Sequence, residues 1–313
     1  MQNEIVSEVA KGLGCEKQTL PSKYYYDKKG DELFRQIMKL PEYYLTNCEY
    51  EILKNRGSEI ISTAFSNSKA GNLVELGAGD GYKTKLLLHR IVKEKLNIRY
   101  VPVDISQNIL DLLCDEVEQE IPLLQVNPVC ADYFEAVKKA SSEGVPNLIL
   151  FLGSTVGNLR EKEQEVFFSD LSESCNSGDT VLTGFDLQKD PDVILAAYND
   201  KGGVTRAFNL NLISRLQKEV SADFKPEDFE HYPCYDPLTG LARSFLVPQV
   251  NKVLTLNNQK IQLEKGRAIH CETSRKYTIK QIEELAHRNN FEILKHYFDD
   301  KAYFVDSLWR KKD

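Results

Sequence analysis

The sequence lacks the features that would point to nucleic acid, a membrane or disulfide chemistry. Its 313 residues include 40 Lys and Arg against 47 Asp and Glu, a formal net charge of −7. No positive field is therefore available to condense a phosphate backbone or an anionic bilayer. The apolar stretch Leu148-Ile149-Leu150-Phe151-Leu152 is far shorter than the roughly 20 residues a membrane-spanning helix needs. The segment Met1-Gln2-Asn3-Glu4-Ile5-Val6-Ser7-Glu8 has neither the basic start nor the apolar h-region of a signal peptide. Seven cysteines (Cys15, Cys48, Cys114, Cys130, Cys175, Cys234, Cys271) are odd in number and scattered, without a C-x-x-C pair to suggest zinc or redox exchange. They read as reduced packing thiols in a soluble cytoplasmic chain. Internal repeats, low-complexity tracts and Pro/Gly linkers are also absent, so a second domain must arise by insertion or packing. With 42% apolar and 28% charged residues there is ample material for one large domain or two modest ones. None of this separates an enzyme from a binding protein.

What is present is an alternation of helix and short apolar run. Residues 1–49 read as helical with irregular stretches and are rich in tyrosine at Tyr24-Tyr25-Tyr26 and Tyr43-Tyr44, which suits a pocket wall or an interface. Then come a helix over Glu49–Phe65, a strand at Asn72–Leu76, a helix over Lys83–Val92, a strand at Arg99–Val103 and a helix near Ile109–Glu120. Strands at Leu124–Val129, Asn147–Leu152 and Thr180–Gly184, with a helix near Glu161–Ser172, continue the pattern. Such spacing predicts a parallel sheet covered on both faces. From Asp186 to about Tyr277 the character changes: helices near Pro191–Tyr198 and Val204–Val220 precede strand-like alternation at Lys252–Leu256. Thr278-Ile279-Lys280-Gln281 has capping-box spacing and opens a helix to about Arg288. The runs Phe291–Phe298 and Ala302–Trp309 read as a closing hairpin. A doubly wound parallel sheet ending in an antiparallel hairpin is similar to the architecture of class I S-adenosylmethionine-dependent methyltransferases.

The strand Leu73-Val74-Glu75-Leu76 runs into Gly77-Ala78-Gly79-Asp80-Gly81. Glycine serves there because the backbone must turn tightly and let a ligand approach. The third glycine of a dinucleotide fingerprint would stand at position 82, which holds Tyr82. Asp104 ends the next strand, where a carboxylate can accept from ribose hydroxyls, and Asp132 follows the strand after that. Ligands of doubly wound sheets bind at the carboxyl ends of the strands, so the three groups make one site. This ordered set favours S-adenosylmethionine over a nicotinamide cofactor. The plainer reading is that both aspartates cap helices and that Lys83 is a solvated first-turn side chain; beside the cofactor, Lys83 could instead pair with the methionyl carboxylate.

Longer motifs, in one order, carry a more specific resemblance. They are Leu20-Pro21-Ser22-Lys23-Tyr24-Tyr25-Tyr26-Asp27, Leu40-Pro41-Glu42-Tyr43-Tyr44-Leu45-Thr46, Leu73-Val74-Glu75-Leu76-Gly77, Val103-Asp104 and Phe151-Leu152-Gly153-Ser154-Thr155-Val156-Gly157-Asn158-Leu159. Further on come Asp186-Leu187-Gln188-Lys189-Asp190, Ala197-Tyr198-Asn199-Asp200, Gly203-Val204-Thr205-Arg206-Ala207-Phe208-Asn209, Ala222-Asp223-Phe224 and Phe229-Glu230-His231. Through nearly its whole length the chain resembles the histidine-specific Nα-methyltransferases of ergothioneine biosynthesis, which convert L-histidine to its trimethylated betaine, hercynine.

The resemblance implies an α/β chain: a Rossmann-like methyltransferase domain over 50–186 and 278–313, and an α+β substrate-recognition domain over 1–49 and 187–277. It implies that Tyr26, Gly77, Lys83, Asp104, Asp132 and Tyr133 line the S-adenosylmethionine site. Asn158 and Tyr198 would hold the α-amino and carboxylate end of the amino acid, and Thr205, Phe208, Glu272 and Ser274 would surround its side chain. Strand geometry supports the last pair independently, because residues i and i+2 project from one face and can address two ring nitrogens. Over Gly240-Leu241-Ala242-Arg243-Ser244 the match is poorer, and Ala242 would leave the pocket wider; related enzymes methylate a prenylated tryptophan. Methyl transfer needs collinear nucleophile, methyl carbon and sulfur, so positioning is most of the protein's task. None of His89, His231, His270, His287 and His296 sits in a motif that suggests a base, so the ammonium is expected to lose its proton to solvent or through Tyr198. A non-catalytic S-adenosylmethionine sensor is the alternative from another class. Partners are expected to be one small amino acid, with no nucleic acid, no membrane and no metal, and a monomer is compatible with the reading.

Overall fold

The computed structural model describes residues 2–66, 68, 70–220, 223, 225–256 and 259–313. Ala222 and Phe224 of the quoted motif lie outside them. In chain order the strands are β1 (Ala70–Leu76), β2 (Asn97–Asp104), β3 (Val129–Cys130), β4 (Asn147–Phe151) and β5 (Thr180–Asp186). They are followed by β6 (Phe229–Asp236), β7 (Leu241–Pro248), β8 (Lys252–Leu256), β9 (Gln259–Leu263) and β10 (Ile269–Arg275). Last come β11 (Phe291–Phe298) and β12 (Phe304–Lys311). The chain divides into two units, Met1–Tyr44 with Lys189–Arg275, and Leu45–Gln188 with Lys276–Asp313.

The second unit is a seven-stranded sheet in the order β11-β12-β5-β4-β1-β2-β3. β1 to β5 run parallel, and β12 and β11 return antiparallel. This is the doubly wound Rossmann-like sheet with a closing hairpin that the alternation predicts. β1 and β5 are buried almost throughout, as strands covered on both faces must be. Helices over Tyr44–Ala64, Lys85–Lys93, Gln107–Glu120, Tyr133–Ser141, Glu161–Ser174 and Ile279–Arg288 belong to this unit or lead into it. The last has the expected capping box, Thr278 Oγ1 accepting from Gln281 N–H and the Gln281 side chain accepting from Thr278 N–H. One core cluster joins Val74, Val101, Ile149, Phe168, Phe185 and Trp309.

The first unit holds a three-stranded antiparallel sheet, β10-β7-β6, and the hairpin β8-β9. Its helices are Gln2–Leu13, Lys28–Ile37, Pro191–Tyr198 and Val204–Val220. Ile5, Val9, Leu20, Tyr25, Leu212, Leu246 and Ile269 share its core.

Four local expectations change. The strand placed at Leu124–Val129 shrinks to β3 with an isolated bridge from Val126 to Tyr100, because Pro128 has no N–H to give a ladder. The helix Tyr133–Ser141 was not foreseen; Asp132 caps it, its Oδ1 accepting from Phe134 and Glu135 N–H. The helix expected from Glu49 begins at Tyr44. The second hairpin strand begins at Phe304 rather than Ala302, since Asp299 Oδ1 takes the N–H groups of Tyr303 and Phe304 to close a longer loop. Among the described residues no helix is long and apolar enough to cross a membrane.

Candidate functional site

In the second unit the candidate groups gather at the carboxyl ends of β1, β2 and β4. Gly77, Gly79 and Gly81 adopt φ of +70°, +55° and +61°, a region that L side chains rarely enter. The turn is pinned to β2 by Gly77 and Ala78 N–H, which both donate to the Val103 carbonyl. A Cβ on Gly77 would lie 2.8 Å from the Tyr133 hydroxyl, whereas one on Gly79 would meet nothing within 4 Å. Close packing on one side and open space on the other is what a ligand cradle requires.

Asp104 Oδ1 accepts from Ser106 N–H at 2.9 Å. Burial, then the nearby Asp104 charge, push the Tyr133 phenol above its ordinary value. Gly77, Asp104 and Tyr133 are therefore brought together. Asp132 is the cap that the plainer reading foresaw, with Oδ1 occupied by two backbone donors at 2.9 and 3.0 Å. Glu75 points into the interior, where Thr84 and Tyr100 hydroxyls donate to it. Burial outweighs those bonds and pushes its carboxyl up to about 7.

Lys83 is not a solvated side chain: its ammonium pairs with Glu49, whose side chain is wholly buried. Glu49 also accepts from Gly153 N–H. Sequence reasoning missed Glu49, although its one signal was visible: a charge on a helix face shared with Cys48, Ile52 and Leu53, all buried. Gly153 opens the turn after β4 that ends at the exposed Asn158. That turn is anchored at its middle too, because Ser154 Oγ accepts from Asp186 N–H and the Val156 carbonyl accepts from the Tyr277 hydroxyl.

In the first unit a second set assembles. Tyr26, expected with the cofactor residues, belongs to this unit and not to the one that carries Gly77, Asp104 and Tyr133. Its ring packs edge-on against Phe34 and Phe208. Although part of the residue is exposed, desolvation, then the charges of Glu272 and Asp31 and the Tyr198 phenol, hold its phenol above its ordinary value. Tyr26 therefore lies within the electrostatic reach of both Glu272 and Tyr198. Glu272 and Ser274 stand on β10 opposite Ser244 and Ala242 of β7, and Ser274 is buried. Thr205 is the second residue of the helix Val204–Val220, whose first two N–H groups, its own included, are taken by Asp200. Phe208 is almost completely buried and stacks on Tyr25 at 4.8 Å, so it serves the aromatic core as a wall behind Tyr26.

Four of the histidines have side-chain partners of their own. His231 is buried against Ser244, and burial with the Arg206 charge pushes it down to about 4. His89 contacts Glu120, His270 contacts Thr273 and His296 contacts Ser307. No His, Cys, Asp and Glu cluster fit for a metal occurs among the described residues.

Comparison with known proteins adds a family and relatives. The profile of the family described as histidine-specific methyltransferase, SAM-dependent, matches residues 5–311. A histidine N-alpha-methyltransferase of Mycolicibacterium smegmatis is 40% identical over 224 residues, 72% of this chain and 68% of that one. Ergothioneine biosynthesis protein 1 of Schizosaccharomyces pombe is 26% identical across 89% of this chain and 37% of its own length. A 4-dimethylallyltryptophan N-methyltransferase of Claviceps purpurea is 22% identical, covering 91% of this chain and 88% of that one.

Proposed function

The chain belongs to the histidine-specific, S-adenosylmethionine-dependent methyltransferases, and from that premise we propose that it methylates the α-amine of L-histidine, three times in succession, to give hercynine. The observation that carries the substrate reading is the pair Glu272 and Ser274 on one strand of the first unit, with Tyr26 within reach of the Glu272 charge. Imidazole offers one N–H donor and one acceptor nitrogen, and a carboxylate with a hydroxyl two residues on can answer both. An indole has no second ring nitrogen to occupy Ser274.

The methyl donor fits what the second unit offers. Gly77 and Gly79 let a ligand approach the backbone, Asp104 at the end of β2 would accept from ribose hydroxyls, and Lys83 would meet the methionyl carboxylate. Asp132 and Tyr133 would flank the adenine, Asp132 from its position at a helix start. When bound, S-adenosylmethionine supplies an electrophilic methyl group on a sulfonium.

The remaining work falls to side chains of this protein. Asn158 would orient the α-amine, and Tyr198 would hold the carboxylate end and relay the ammonium proton towards solvent. This reading gives no histidine the role of base. Successive transfers need a site that tolerates a growing ammonium, and the faces of Tyr26 and Tyr198 can stabilise such a cation without caging it. Thr205 and Phe208 would support that wall from behind.

The test is incubation with methyl-labelled S-adenosylmethionine and each aromatic amino acid in turn. Label in histidine supports the reading. Label in a tryptophan derivative and not in histidine would move the substrate while leaving the reaction class, and cofactor binding without turnover on any amino acid would make the chain a sensor.

A further inference from the structure

The helix Tyr44–Ala64 carries Glu49 into the interior of the second unit, where the side chain has no exposure. A buried carboxylate is tolerated only when it is paired and hydrogen-bonded. Glu49 has both: the Lys83 ammonium, and the Gly153 N–H shared between its two oxygens at 2.8 and 3.0 Å. The sheet is built around it. A Cβ on Gly184 of β5 would lie 2.2 Å from Glu49 Oε1, so any larger residue there would evict the acid. Opposite Gly184 in the β5/β12 register stands Asp306, fully buried, with neither carboxyl oxygen meeting a donor among the described residues. Burial, then the Glu49 charge, hold the Asp306 carboxyl well above its usual range. Of this pair it is Glu49 that holds the donors.

The two groups that Glu49 holds belong to different turns. Lys83 follows the glycine-rich turn after β1, and Gly153 opens the turn after β4 that ends at Asn158. The grip on the first turn is doubled, because Tyr50, next to Glu49, stacks on Tyr82, next to Lys83, with ring centroids 5.2 Å apart. The second turn needs holding: Gly153 and Ser154 have φ of +78° and +55°, and a serine keeps that conformation only where its surroundings impose it.

We propose that Glu49 is a positioning residue for methyl transfer: by holding the Lys83 ammonium and the Gly153 amide on one carboxylate, it fixes the spacing between the glycine-rich turn and the turn that carries Asn158. This rests on the reading given above, in which the first turn receives the methyl donor and Asn158 orients the amine. In-line displacement tolerates little error in that spacing, since a misplacement of about 1 Å can cost about 100-fold in rate.

The experiment is a double-mutant cycle on the full chain with S-adenosylmethionine and L-histidine, read by label incorporation so that slow variants remain measurable. Glu49→Gln keeps the size but turns an amide N–H towards one of its two donors. It should lower kcat about 10- to 100-fold with KM for either substrate within about threefold. In an Asn158→Ala background the same change should cost less than about threefold, because the group being misplaced is already gone. Glu49→Asp, which keeps the charge but is one methylene too short to span both turns, should behave alike and serves if Glu49→Gln does not fold. A role in folding alone would shift the unfolding midpoint and give the same rate cost in both backgrounds, and that result overturns the proposal. So does a kcat within about twofold of the parent. If the parent chain does not methylate histidine at all, the functional reading falls and takes this one with it; an active parent with additive losses sinks the positioning role alone.

Discussion

Replacing Glu75 by glutamine should remove a fall in the stability of the Rossmann-like unit as pH rises. Glu75 is buried beneath the glycine-rich turn, and burial outweighs its bonds from Thr84 and Tyr100 to push its carboxyl up to about 7. An unfolded chain would return it to its ordinary value near 4.3. Between those values the folded state holds a proton that the unfolded state has lost, so stability falls as pH rises through the window and is flat above it. A displacement of roughly two to three pH units corresponds to about 3 kcal/mol, or about 100-fold in the folding equilibrium. Glutamine carries no charge to desolvate, and the two hydroxyls can turn so that one donates to its oxygen and the other accepts from its nitrogen. Relative to the parent, Glu75→Gln should be neutral or up to about 1 kcal/mol worse at pH 5. At pH 8 it should be better by about 2–3 kcal/mol. Urea unfolding at a series of pH values reads this directly, because the single tryptophan, Trp309, is fully buried in the same unit and reports on its unfolding. A difference between variant and parent that stays constant within about 1 kcal/mol from pH 5 to pH 8 would refute the argument, whatever the absolute stabilities.

Gly77→Ala should cost about 1–2 kcal/mol for the left-handed backbone, and more because its Cβ would come within 2.8 Å of the Tyr133 hydroxyl; Tyr133→Phe should restore part of the loss in a thermal melt, and no rescue would argue against the clash. Asp104→Asn should weaken S-adenosylhomocysteine about 10- to 100-fold by calorimetry, the loss of a hydrogen bond to a charged acceptor, with little change in unfolding; unchanged affinity would remove Asp104 from the cofactor site. Lys276 and Asp186 form a fully buried ion pair at 2.7 Å, so Lys276→Met should cost roughly 3–5 kcal/mol by leaving a buried carboxylate uncompensated, and a cost under about 1 kcal/mol would mean that Asp186 is neutral or solvated.

Local chemistry made much of this fold legible. Thr278 and Gln281 announce a helix start because a capping box is satisfied within four residues, and the buried runs at β1, β4 and β5 announce a parallel sheet because both faces are covered. The glycines at 77, 79 and 81 announce the tight turn after β1, where all three take a positive φ. What stayed hidden depends on distant partners. Glu49 is 34 residues from Lys83 and 104 from Gly153, so its place on an apolar helix face could mark it as buried but could not name its partners. Asp132 satisfied two descriptions at once, strand-end ligand and helix cap, and choosing the first concealed the helix Tyr133–Ser141. The tyrosine-rich segment joins the unit that the division at residue 49 expects, and Tyr26 packs there against Phe34 and Phe208.

The central claim is that the α-nitrogen of histidine receives the methyl groups. Mass spectrometry of the product formed from L-histidine and methyl-labelled S-adenosylmethionine tests it most directly. The account predicts three labelled methyl groups on the α-nitrogen and none on the imidazole. Label on a ring nitrogen, or on a tryptophan derivative with histidine untouched, would contradict it.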